Sequence, residues 1–192
     1  RGRERPPEAT TPAPISSPTS AEDYYRDASN AMDRRDAQSA IKKLDEAVKL
    51  KPDFAPAYLM RAAAHLALKR YQEAVQDASE EIRLNPSSVR GYLLRGAGYV
   101  NLGQHAKALE DLNVYVRKQP DSADAHNARG ATYDKLGELA RAVEDFDRAI
   151  ELNPAFRSAF ENRGVAYLKL HECNKAEDDF STVLRLQPSS GW

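Results

Sequence analysis

The side chains best suited to chemistry here are four histidines (His65, His105, His126 and His171), a single cysteine (Cys173), and a column of arginines matched by a column of aspartates. Histidine and cysteine bind zinc or act as base and nucleophile only where several of them converge at recognised spacings. His171 and Cys173 form a His-x-Cys pair with no further ligand or base in the same stretch, and the other histidines fall at unrelated places. A catalytic centre needs nucleophile, base and oxyanion donors together, and no glycine-rich phosphate loop is present. The sequence therefore predicts no catalytic residue, no metal site and no cofactor. Cys173 reads as a half-buried small apolar residue.

The arginines are Arg61, Arg95, Arg129 and Arg163; sixteen residues after each stands Asp77, Asp111, Asp145 or Asp179. One reading is a ladder that grips an acidic ligand. The other is a set of ion pairs joining neighbouring helices. The second is favoured because the ladder brings its own carboxylates and because Asp27 and Lys43, at the same spacing, carry the opposite signs. The sequence thus predicts an ion pair in every unit, each contributing about 0–1 kcal/mol near a surface.

These columns exist because the chain is periodic. Pro52, Pro86, Pro120, Pro154 and Pro188 stand 34 residues apart, and the units 21–54, 55–88, 89–122, 123–156 and 157–190 follow without insertion. A fixed period of this length marks stacked copies of one supersecondary unit. Each unit holds a small residue where two helices must approach, Ala40, Ala74, Ala108, Ala142 and Ala176. A second small column, Ala28, Ala62, Gly96, Gly130 and Gly164, follows the bulky column Tyr24, Tyr58, Tyr92, His126 and Phe160, as close packing requires. Two amphipathic stretches per unit flank a turn that carries Leu102-Gly103 or Leu136-Gly137, where glycine suits a helix stop. The prolines close the second helix, and Asp53, Ser88 and Ser122 are expected to cap the helix that follows. The fold class expected is all-α, a solenoid of five helix-turn-helix repeats.

At these positions the chain resembles the tetratricopeptide repeat family, whose signature runs from a bulky aromatic through Gly, Tyr, Ala and Phe to a closing Pro. The fourth unit shows His126, Gly130, Tyr133, Ala142, Phe146, Ala149 and Pro154; the fifth shows Phe160, Gly164, Tyr167, Ala176, Phe180, Val183 and Pro188. The first two are degenerate, with Ala31 and His65 in the Tyr column and Ala78 in the Phe column. The resemblance, over residues 21–190, implies a right-handed α-solenoid whose concave wall is formed by the first helix of each hairpin. It places in that wall Tyr25, Ser29 and Met32; Leu59, Ala63 and Leu66; Leu93, Ala97 and Val100; Asn127, Ala131 and Asp134; and Glu161, Val165 and Leu168. The second and third units give an apolar floor, and the acidic and amide groups after them suggest a ligand with an apolar anchor and a polar or basic continuation. Each aliphatic residue could equally pack between neighbouring helices.

The family variant that clamps the carboxyl tail of heat-shock chaperones is absent. Its five columns read Tyr25, Ser29, Met60, Arg90 and Leu94 in the first register, where only Arg90 fits. The later registers read Leu59, Ala63, Leu94, Asp124 and Ala128, or Leu93, Ala97, Ala128, Ser158 and Asn162.

Composition agrees. With 28 basic and 29 acidic residues, net charge −1, and no dense Lys/Arg run, nothing points to nucleic acid. No apolar stretch approaches the roughly 18 residues that cross a bilayer, so no membrane span is expected in this segment. The lone Cys173 excludes an internal disulfide and leaves the compartment open. Residues 1–20, with five prolines and little apolar beyond Ile15, read as a linker or disordered arm, and Arg1 in place of Met suggests a processed or excised segment. At the other end, Glu177 replaces the aliphatic Ile41, Val75, Leu109 and Val143 of the earlier units, as a terminal repeat would need. Leu184 and Leu186 would then be partly open, with Trp192 available to fold over them. The function expected is a non-enzymatic scaffold that binds a peptide or helix segment of a protein partner. Self-assembly through the proline-rich arm, chaperone-type binding of apolar segments, and an accessory role beside an absent catalytic domain are the alternatives.

Overall fold

The computed structural model describes residues 20–186. The arm of residues 1–19 and Trp192 lie outside them. Ten helices and no strand make up the described residues. They are α1 (Ala21–Asp33), α2 (Ala37–Leu50), α3 (Ala55–Ala67), α4 (Tyr71–Leu84), α5 (Val89–Asn101), α6 (His105–Lys118), α7 (Ala123–Lys135), α8 (Leu139–Leu152), α9 (Arg157–Lys169) and α10 (Cys173–Arg185). Each odd-numbered helix pairs with the even one that follows, and each even helix packs on the next odd one. The odd helices also touch one another, α1 with α3, α3 with α5 and α7 with α9, whereas the even helices make no comparable contact among themselves. That asymmetry curves the stack and puts the odd helices on its inner side.

The small columns form the contact surface. Ala40, Ala74, Ala108 and Ala142 are fully buried, and Phe146 packs so tightly on Gly130 that a Cβ there would stand 2.8 Å from its ring. Size is traded within each hairpin: Gly130 and Gly164 face Phe146 and Phe180, while Ala62 sits in the unit whose Phe column holds Ala78.

The helix stops follow one rule. Gly103 and Gly137 have φ of 72° and 77°, and Arg35, Lys69 and His171 occupy the same place in their units with φ of 60°, 59° and 61°. Left-handed backbone costs a residue with a Cβ about 1–2 kcal/mol. Arg35→Gly and Lys69→Gly should therefore each raise stability by about 1 kcal/mol in urea unfolding, and a loss would contradict the assignment.

Capping departs from expectation at one point. Ser88 and Ser122 accept from the backbone N–H of Gly91 and Ala125 at 3.0 and 3.2 Å. Asp53 does not cap α3; the N-cap is Phe54, with Pro56 in the first turn. The capping position is the residue just before each unit, held by Ser20, Phe54, Ser88, Ser122 and Phe156, and Asp53 lies one residue short of it. Ser20 caps α1 through Asp23 N–H. At the far end Glu177 is exposed and Leu184 is 67% exposed, as the sequence leads one to expect. Cys173 opens α10 and is exposed, not half-buried: the residues this helix buries are Ala176, Asp179 and Val183, and Cys173 precedes that face.

Candidate functional site

Each arginine of the column closes onto its own aspartate by two parallel hydrogen bonds. The Nε and Nη2 groups of Arg61, Arg95, Arg129 and Arg163 donate to Asp77, Asp111, Asp145 and Asp179 at 2.6–2.9 Å. The aspartates are buried, and hydrogen bonding to Asp145 pushes the Arg129 guanidinium above its ordinary pKa. The third nitrogen reaches backward to the previous hairpin, where Asp45, Ser79, Asn113 and Asp147 accept. One side chain thus ties three helices together, and the ladder is internal framework with no free fork for an acidic ligand.

The first unit breaks the pattern. Asp27 and Lys43 form no ion pair, and the Lys43 ammonium lies 5.7 Å from the Tyr24 ring instead. No described helix precedes α1 to hold a second contact, and lysine lacks the fork that makes the others bidentate.

Two of the histidines, His126 and His65, are built into the same framework. His126 sits between Asp145 at 3.1 Å and the Pro120 carbonyl at 3.0 Å, in the column where, two units earlier, the Tyr58 hydroxyl donates to the Pro52 carbonyl. His65 is buried 3.6 Å from Asp77, and burial lowers its pKa. No group of three or more His, Cys, Asp or Glu among the described residues is placed to hold a metal ion. No described helix is long and apolar enough to cross a membrane.

The residues named for the concave wall lie on the odd helices, half-buried except Val165 and Leu168, which are 42% and 48% exposed. Those of the first three units, with Ala131, divide into three groups. Tyr25 and Met32 help close the first hairpins: Tyr25 meets Phe54 in a tilted ring contact with centroids 5.4 Å apart, and Met32 packs on the Ala37–Ile41–Ala64 cluster. Ser29, Leu59, Ala63 and Leu66 line α1 and α3. Leu93, Ala97 and Val100 of α5 converge with Ala131 of α7 on a cleft of about 210 Å³, completed by Asn101, Leu112, Ala128 and Thr132. The lining of this cleft is predominantly apolar.

Beyond the cleft the polar residues are already partnered. Asn162 donates to Asn127 at 3.0 Å, Lys169 donates to both oxygens of Asp134 at 2.7 and 2.6 Å, and Arg157 pairs with Glu161 at 2.7 Å. Asn101, Thr132, Asn162 and Lys169 were not legible as wall residues from the column pattern. Asn162 and Lys169 each stand 35 residues after the partner they bind, one repeat and one residue on, and that offset is the signal that finds them.

One buried acid outside the ladder lies at the α4/α5 junction. Glu81 is 2% exposed, and its Oε2 has no hydrogen-bond partner; it fills the space left by Gly91, whose Cβ would stand 2.0 Å from that oxygen. Burial raises its pKa, opposed by a hydrogen bond from Ser88. A carboxyl raised in the folded state is stabilising below its unfolded pKa, and that contribution is lost as pH climbs through the folded value. Glu81→Gln, which removes the buried charge, should therefore stabilise the chain more at pH 7 than at pH 4. Equal effects at both pH values in urea unfolding would contradict the buried-acid reading.

Comparison with known proteins agrees with this geometry. Sequence profiles described as Tetratricopeptide repeat match residues 25–89, 91–122 and 123–156. No curated protein matches significantly. Among solved structures, MamA 41-end from Desulfovibrio magneticus RS-1 superposes with a TM-score of 0.83 at 22% identity, covering 90% of this chain and 97% of that one. YrrB, described as a TPR protein with an unusual peptide-binding site, gives 0.74 at 24% identity over 88% of each chain. At these identities the likeness concerns the fold. That fold is one of protein-interaction scaffolds.

Proposed function

We propose that this chain, which belongs to the tetratricopeptide repeat family, is a non-enzymatic scaffold that holds a peptide or helical segment of a partner protein against its inner wall. Residues 21–190 act as one interaction domain, with residues 1–20 as its linker. The observation that supports the reading is the apolar cleft between α5 and α7, set in a wall whose aliphatic side chains remain half open. Apolar surface left accessible in a concavity is what a peptide-binding groove requires. The ion-pair ladder leaves the odd helices as the wall available to a partner, since its arginines turn toward the even helices.

The test is affinity capture from the native source, with the partner identified by mass spectrometry, repeated with Leu59→Glu and Leu93→Glu combined. Both leucines face the wall, so capture should be lost while helicity stays that of the parent. Capture retained at full strength would move the site off the inner wall.

A further inference from the structure

The α5/α7 slot is apolar inside and charged at one rim. Arg90 on α5 and Asp124 on α7 are exposed, and among the described residues neither makes an ion pair or a hydrogen bond. Each stands seven residues, close to two helical turns, before an alanine of the slot, Ala97 or Ala131, and so shares that alanine's helix face. About one turn separates Arg90 from Leu93 and Asp124 from Ala128, where the slot begins. Asp124 suits the first turn of α7, whereas Arg90 opposes the positive end of α5 and does nothing for its own helix there. At the far end Asn101 spends one amide hydrogen on the Ala97 carbonyl at 2.8 Å, which leaves its second N–H and its Oδ1 for a ligand's peptide groups. Lys135, also exposed, lies at that same end, about 16 Å along α7 from Asp124. Further along the wall the acids are occupied: Lys169 holds Asp134 and Arg157 holds Glu161.

We propose that the slot's ligand is a partner segment with three side chains at alternate positions: an acid on Arg90, a large apolar group in the slot and a base on Asp124. This deepens the groove reading above and rests on it. It keeps the apolar anchor and the basic continuation expected from the sequence, but moves the receiving carboxylate from Asp134, which Lys169 already holds, to Asp124. Packed helices lie about 8–10 Å apart. In an extended chain the first, third and fifth side chains face one side and span about 13 Å, so such a strand crosses from α5 to α7 with its outer groups over the rim and its middle group between the helices. Arg90 is the one column of the chaperone-tail clamp that this chain meets in that register, so it takes a single carboxylate and not a paired one.

The experiment is a titration of the methyl-labelled chain, followed by NMR, with the capped peptide Ser-Glu-Gly-Leu-Gly-Lys-Ser. The methyl signals of Leu93, Ala97 and Ala131 should shift. Replacing the peptide's leucine by serine should weaken binding about tenfold or more, and so should Ala131→Leu, which fills the slot. A second slot-filling variant, Ala97→Leu, should act alike if Ala131→Leu proves poorly folded. Replacing the peptide's glutamate or its lysine by glutamine should each weaken binding about two- to fivefold, the size of an exposed ion pair. Paired changes then identify the contacts: the glutamate's effect should vanish in Arg90→Ala and the lysine's in Asp124→Asn, while Lys135→Ala alters neither. A glutamate effect that survives Arg90→Ala, or a lysine effect that survives Asp124→Asn, would overturn the proposal. So would a neutral peptide that binds as tightly, binding indifferent to both slot variants, or no shift at these methyls. If the charged peptide fails while capture of the native partner still depends on Leu59 and Leu93, the ligand chemistry is wrong and the scaffold reading stands. If both fail, the groove reading falls with it.

Discussion

Phe146→Ala should destabilise the chain by about 3–5 kcal/mol, the range for truncating a fully buried aromatic. Phe146 has no exposed surface, and its ring is what prevents a Cβ at Gly130. That geometry makes a sharper demand than a simple loss. In the parent chain Gly130→Ala should cost about 1–3 kcal/mol by overpacking. In the Phe146→Ala background the same change should be neutral or favourable, because the cavity receives the new methyl and alanine is the better helix former by about 1 kcal/mol. The same pair of alanines stands two units earlier in this chain as Ala62 with Ala78. Urea unfolding of the four proteins measures the coupling. Additive losses would mean that the two columns do not trade size.

The second large effect lies in the ladder. Arg129→Leu leaves the buried Asp145 carboxylate with His126 alone and severs the link to Asn113, so about 3–5 kcal/mol should be lost, as when one partner of a buried ion pair is removed. Adding Asp145→Leu should recover most of that loss, since both desolvated charges are then gone. Lys43→Leu is the control. Its counterpart Asp27 makes no pair with it, so its effect should stay within about 0.5 kcal/mol. A loss at Lys43 as large as at Arg129 would contradict the assignment of the ladder to repeats two through five.

The contrast between those two sites shows what the sequence could and could not reveal. A 34-residue comb of prolines, with alanines and glycines in fixed columns, leaves little freedom in fold, because each small residue is explicable only as a close approach between helices. The ion-pair column was legible for the same reason, and its pairing at Arg61, Arg95, Arg129 and Arg163 is what the structure contains. What failed to follow was the extension of the pattern to Asp27 and Lys43. Opposite charges in the right columns do not make a bond when the cation is a lysine, which lacks the bidentate fork, and here it lies over the Tyr24 ring instead. The backward contact from each arginine to the previous unit was equally hidden, since Asp45, Ser79, Asn113 and Asp147 share only the ability to accept a hydrogen bond, not a residue type. Cys173 and Asp53 were misread by position, not by chemistry: one lies on the first turn of a terminal helix, the other a single residue before the cap.

The wall was legible as a set of columns and not as a site. Column position says which helix face a residue lies on, but whether Asp134 meets solvent depends on Lys169, a long side chain from the next unit whose reach no single column displays. The same holds for Asn127 with Asn162. The apolar slot emerged from the opposite circumstance. Ala97, Ala128 and Ala131 are too short to fill the space that Leu93, Val100 and Leu112 frame, and a run of alanines in a sequence does not distinguish a filled contact from a vacant one.

The inner wall as the surface that meets the partner is best tested by site-specific photo-crosslinking, with a benzophenone side chain placed at Ala97 on α5 or at Glu110 on the exposed face of α6. The Ala97 position should yield the adduct with the captured partner and Glu110 should not. An adduct from Glu110 with none from Ala97 would place the partner on the outer helices and contradict the account.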